Sequence, residues 1–144
     1  MTETTKHKVP NAQRPGTMRL VDALQYRLPL AGWVSILHRA SGALMFVLLP
    51  FIIWMFDTSL GSEISHSQFI ALFLGGVGFI PGGFFKLLAL ALIWAYLHHF
   101  IAGLRHLWMD ATHSVGLEFG RTSAIATLAL SAVLTLVLGA KLFF

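Results

Sequence analysis

The chain contains no cysteine, which removes disulfides, thiolate nucleophiles and iron–sulfur ligation from the chemistry open to it. Charge is scarce too. Only 11% of its 144 residues are Asp, Glu, Lys or Arg, against roughly a quarter in an average soluble domain. No glycine-rich dinucleotide loop is present. Almost every charge lies in the first thirty residues or in short gaps between apolar runs, so no length remains for a separate catalytic domain. With 56% hydrophobic residues, the solvent that suits this composition is the bilayer. The formal charge of +4 has no basic stripe interleaved with aromatics behind it, which argues against a nucleic-acid partner and for a membrane surface.

The expected fold is all-α and integral to the membrane, with three transmembrane helices. Residues 1–31 carry Lys6, Lys8, Arg14, Arg19 and Arg27 among Pro10, Pro15 and Pro29. They lack the order of a secretory signal and read as a retained polar tail, irregular or interfacial. Residues 32–144 then form the membrane domain. A first span runs from Gly32 to Phe56, with a kink expected at Pro50, whose missing N–H breaks the hydrogen-bond ladder. Residues 57–68 are polar. The run that follows, to Gly83, holds five glycines and Pro81, which suits an interfacial or re-entrant segment better than a span. The second span is expected over Phe84–Met109 and the third over Thr122–Ala140. Five Lys/Arg precede the first span, while Asp57 and Glu63 follow it before Lys86, so the positive-inside rule predicts a cytoplasmic N-terminus and an external C-terminus.

Two polar constellations interrupt the apolar spans. Ser35, His38 and Arg39 are spaced three and four apart, on one face near the start of the first helix. A charge at the centre of a span costs roughly 2.5–3.5 kcal/mol on insertion scales, so Arg39 either snorkels to the headgroups or meets an anionic or polar partner. The second constellation is His98, His99, Arg105, His106 and Asp110, near the end of the second span. His99 and His106 share a face about 10 Å apart along the axis, whereas His98 is rotated away by about 100°. His106 and Asp110 are spaced to pair. Gly103, four residues from His99, would let a flat macrocycle approach the backbone. A neutral imidazole at this depth is a natural axial ligand for haem iron, and haem propionates would supply the counter-charge Arg39 requires. The bland reading of His99 is an interhelical hydrogen bond. His7, His66 and His113 lie in polar segments and read as solvated.

The segments SILHRASG, Ser35 to Gly42, and HFIAGLRHLWMD, His99 to Asp110, resemble the two signatures of the cytochrome b subunit of succinate dehydrogenase. The three-span layout and the tail with Arg14–Pro15 are similar as well. The resemblance implies a membrane anchor in a four-subunit complex of the bacterial inner membrane, with a flavoprotein, an iron–sulfur subunit and a second membrane anchor as partners. The chain would be a non-catalytic subunit contributing to the quinone site. By the same resemblance, His99, which opens the His-x-x-x-Gly run, is the haem b ligand. Ser35 and Arg39 are quinone-site residues, with ubiquinone as substrate, and His38 and Arg39 lie near the haem propionates. His99 and His106 cannot grip opposite sides of one iron, and His38 lies close to the membrane surface. A single haem would therefore take its second ligand from the partner anchor.

Two other readings remain: a haem-free anchor of a fumarate reductase-like complex, in which His99 only packs or hydrogen-bonds, and a small transporter or channel component. Against the latter, the polar residues stop halfway across and no inverted repeat relates the halves of the chain.

Overall fold

The computed structural model describes residue 21 and residues 26–144. The tail expected over residues 1–31, including Lys6, Lys8 and the Arg14–Pro15 pair, lies mostly outside the described residues. The rest is helical: α1 (Leu30–Val47), α2 (Leu49–Leu60), α3 (Glu63–Leu74), α4 (Gly82–Thr112) and α5 (Leu117–Phe143). Three of these, α1, α4 and α5, are long and apolar enough to cross a membrane. They answer to the three expected spans, with α4 and α5 each extending a few residues beyond the expected ends.

The first expected span is two helices. Pro29 leads into α1, and its carbonyl accepts from the N–H groups of Gly32 (2.9 Å) and Trp33 (3.2 Å). The helix stops at Leu48, which leaves helical geometry at φ −88°, ψ 3°. Pro50 sits in the first turn of α2, where its missing N–H would have had no partner in any case. The expected kink is thus a break two residues before the proline. At 1.5 Å per residue α1 is about 27 Å long, close to the roughly 30 Å hydrocarbon thickness.

The glycine-rich stretch also resolves differently. Ser62 and Ser65 cap α3 reciprocally: Ser62 Oγ accepts from the Ser65 N–H at 3.1 Å, and the Ser62 N–H donates to Ser65 Oγ at 2.8 Å. The resulting twelve-residue helix, about 18 Å long, is too short to span. It packs on α2 and α4. The glycines fall after it and make the reversal into α4. Gly76 has φ +88°, and an added Cβ would run into the Ile80 carbonyl oxygen and lie 2.7 Å from Gly82 N, so only glycine serves there. Val77 and Ile80 exchange backbone bonds of 2.9 and 3.0 Å across the turn.

In the bundle, α4 packs against both α1 and α5. Val34, Ala102 and Ala124 meet at its centre, fully buried. The buried positions of α5 are Ala124, Thr127, Ser131, Thr135 and Gly139, a stripe of small residues that lets the helices approach closely. Thr127 and Thr135 donate to carbonyls one turn back, at 2.9 and 2.7 Å, which satisfies their hydroxyls without water. Large apolar side chains such as Phe46, Leu107 and Leu136 face outward, as a bilayer allows.

Candidate functional site

The seam between α1 and α4 brings His38, His99 and His106 into one column. The His38 ring stacks on His99 with centroids 4.1 Å apart and planes 16° from parallel. On its other side it meets His106 at 5.3 Å, tilted by 52°. It thereby occupies the axial gap of about 10 Å between the two α4 histidines. His106 has His38 as its neighbour here. All three rings are half-buried. They stack instead of converging, and among the described residues no group of three His or acidic side chains could hold a bare metal ion.

His99 is oriented through one nitrogen. Its Nδ1 lies 2.9 Å from the backbone carbonyl oxygen of His38. A carbonyl can only accept, so Nδ1 carries the proton and Nε2 keeps its lone pair. Ser41 Oγ donates to the same carbonyl at 2.9 Å and sits 3.4 Å from His99 Nδ1. Gly42 makes this approach possible: a Cβ there would fall 2.9 Å from His99 Cε1 and 3.2 Å from Nδ1. The roles of Ser41 and Gly42 escaped the sequence reading. Their signal, two small residues three and four after His38, has meaning only once α1 is known to face His99. Gly103 also differs from expectation. A Cβ on it would lie 3.6 Å from His38 Nε2, so the room it leaves on α4 is taken by His38.

His98 takes the opposite path. It is fully buried toward α5, where Nδ1 donates to Ser131 Oγ at 3.2 Å. Ser131 gives its own proton to the Leu128 carbonyl at 3.1 Å. The His98 ring stacks on Trp94 at 5.5 Å, and its buried Nε2 has no partner at full hydrogen-bond geometry among the described residues, the backbone of Val34 on α1 being its nearest polar neighbour.

Ser35 lies one turn before His38 on α1, half-buried. Arg39 is exposed, about 14 Å along α1 from Leu30, on a face that neither α4 nor α5 covers. The inward partner expected for it does not come from the described residues. Arg105 does turn inward: it is buried between α4 and α5, donating from Nε to Ser123 Oγ at 2.9 Å and from Nη2 to the Gly120 carbonyl at 3.2 Å. His66, with Nδ1 3.0 Å from the Ser59 carbonyl, and His113, just past the end of α4, are exposed and do not belong to this column.

Comparison with known proteins gives a consistent picture. Residues 12–138 match the family model described as succinate dehydrogenase/fumarate reductase transmembrane subunit. The chain is 29% identical over 129 residues to a succinate dehydrogenase cytochrome b556 subunit of Coxiella burnetii, covering 90% of this chain and 96% of that one. It is 32% identical over 109 residues to a succinate dehydrogenase cytochrome b556 subunit of Paracoccus denitrificans, covering 76% and 78%.

Proposed function

This chain belongs to the succinate dehydrogenase/fumarate reductase transmembrane-subunit family, and we propose that it is the anchor that holds haem b through His99 and helps to form the ubiquinone site of a succinate dehydrogenase. The observation that carries this reading is the bond from His99 Nδ1 to the His38 carbonyl. Iron-ligating histidines donate their other ring N–H to a carbonyl or carboxylate in this way, which fixes the tautomer and raises the basicity of the ligating nitrogen. Stacked His38 covers a face of the ring, while the Nε2 lone pair lies in the ring plane, so the stack leaves the ligating direction open. The donor set fits a haem: one available imidazole nitrogen at bilayer depth, with exposed Arg39 nearby as a cation for propionates. Bound there, the haem would supply a one-electron redox centre beside the quinone-binding face. His106 and His38 belong to the same column as His99, so the haem's other protein ligand would come from the second anchor subunit.

On the substrate side, the Ser35 hydroxyl and the Arg39 guanidinium, one turn apart, would hydrogen-bond a quinone carbonyl and stabilise the negative charge that builds on it during reduction. The flavoprotein and iron–sulfur subunits deliver the electrons, since this chain has no cysteine for clusters. The Lys/Arg excess before α1 supports a cytoplasmic N-terminus at a bacterial inner membrane. A reporter that works only in the cytoplasm, fused after Phe144, should then be inactive, and activity would refute the orientation.

The interhelical bond of His99 is equally the feature a haem-free anchor would use. Reduced-minus-oxidised absorption of the assembled complex decides between them. A low-spin b-type spectrum, absent from the chain purified alone, is expected. A complex that turns over without that spectrum would leave His99 a packing residue, and bis-histidine ligation in the isolated chain would remove the shared-ligand assignment.

A further inference from the structure

Along its outward side α4 is first covered and then bare. Near its start, Phe73 of α3 meets Phe85 edge-on at 6.5 Å, and Phe69 and Phe73 wall an apolar cavity together with Ala89 and Leu92. The cover ends one turn later. Tyr96, Phe100, Leu104 and Leu107 are all exposed, a strip that follows about 16 Å of the helix. The rings of Tyr96 and Phe100 stack within it, 6.3 Å apart and 9° from parallel.

Acyl chains would suffice against the leucines and the phenylalanine, but not against the phenol. Tyr96 is 61% exposed. The α4 side chains that hydrogen-bond among the described residues are His98, His99, Arg105 and Thr112, and the Tyr96 hydroxyl is not one of them. Tyrosine belongs at the membrane interface, where water answers its hydroxyl. Counted from Trp108, the exposed aromatic at the other end of the strip, Tyr96 lies about 18 Å along α4, past the middle of the roughly 30 Å hydrocarbon. Acyl chains offer no acceptor there, and a hydroxyl left unbonded at that depth is costly. What covers the strip therefore carries a hydrogen-bonding group level with Tyr96.

Position 96 is about 60° around the helix axis from position 99, so the strip borders the half-buried seam of His99, His38 and His106. We propose that a transmembrane helix of the second anchor subunit packs along Tyr96, Phe100, Leu104 and Leu107, and that the Tyr96 hydroxyl hydrogen-bonds a polar group on it. The inference rests on the proposed two-anchor complex and adds the face on which the anchors meet. Continuity with the seam selects this occupant, because the subunit that supplies the haem's other ligand must stand on the open side of His99. A second copy of this chain seated on the strip would close that side off. Side-chain hydrogen bonds between helices, with close packing around them, hold membrane helices together where burial from water cannot.

The test uses the assembled complex in native membranes, with benzoylphenylalanine in place of Phe100 or, on the outward face of α5, in place of Leu136. Illumination should join position 100 to the second anchor, identified by mass spectrometry of the cross-linked peptide, and position 136 should not react with it. A cross-link from position 100 to another copy of this chain, or to lipid alone, would overturn the proposal, as would equal yields from the two positions. Tyr96→Phe keeps the ring and removes the hydroxyl. It should raise the equilibrium dissociation of the second anchor in detergent about three- to tenfold and leave the thermal unfolding of this chain unchanged. Unaltered dissociation would overturn the hydrogen bond, and a loss of this chain's own stability would make Tyr96 a packing residue. These outcomes separate from those for haem: a b-type spectrum without the cross-link sinks the face alone, whereas a purified complex lacking any second anchor sinks the reading beneath it.

Discussion

His98 and His99 are consecutive on α4, yet they belong to different seams. One residue of helix turns the side chain by about 100°, which sends His98 into the α4–α5 contact and His99 into the α1–α4 contact. In the first seam the ring is sealed: fully buried, held by Ser131 and stacked on Trp94. In the second it is half-buried, held by a backbone carbonyl and stacked on another histidine. Both rings use Nδ1 as donor. They differ in burial: His98 Nε2 is closed off in the interior, whereas His99 is half-buried in a seam the chain leaves partly open. Burial alone would have picked His98 as the functional residue. The proposed haem instead uses the half-buried His99.

The sharpest way to break the comparison is to make the same substitution at both positions. His99→Ala should abolish the low-spin haem spectrum of the assembled complex, whereas His98→Ala should retain it and instead lower thermal stability by about 2–4 kcal/mol through the cavity left behind. Loss of the spectrum in His98→Ala with retention in His99→Ala would reverse the assignment of the two seams. Next in size are the α1 residues on the open side. Arg39→Leu should weaken quinone about 10- to 100-fold and Ser35→Ala about fivefold, read as KM in succinate:quinone turnover, following the cost of a charged and a neutral hydrogen bond. Unchanged turnover and affinity in both would withdraw them from the quinone site.

Gly42→Ala probes the open seam without touching a polar group. The added methyl would press on His99 Cε1, and overpacking of this kind costs about 1–3 kcal/mol. A shifted haem midpoint potential with the protein still folded is expected, and an unaltered potential would show that His99 does not need this approach. The smallest effect belongs to the closed seam. His98→Leu fills the volume and removes the buried Nε2 that has no partner at full hydrogen-bond geometry, while Ser131 keeps its bond to Leu128. Stability should change by less than about 1 kcal/mol. A larger loss would mean that the Ser131 contact stabilises the fold more than packing does.

Much of this was legible in the sequence because hydropathy and length report directly on spans: the runs at 84–109 and 122–140 lie inside α4 and α5. The stop of α1 at Leu48 was half-legible, since Pro50 marks a disruption but not on which side the helix yields. The helix α3 was missed because the glycines were counted over the whole segment, while Gly75, Gly76 and Gly78 fall in the turn after it and Gly82 and Gly83, following Pro81, open α4. At the site, one-helix arithmetic separated His98 from His99 correctly. It could not see that His38 would fill the room left by Gly103, that Gly42 admits His99, or that Arg39 sits on an uncovered face. These are relations between helices, and periodicity along one helix carries no information about its neighbour.

The orienting acceptor for His99 belongs to the backbone of residue 38, not to its side chain. It is therefore kept by any residue at position 38 that leaves α1 helical, and alanine at that position would pass over it in silence. His38→Ala would delete the stacked ring and leave the carbonyl in place. Heritable variation acts on this contact only through spacing, at Gly42 and Ser41, so the genetic record of the site will be written in the small residues beside it.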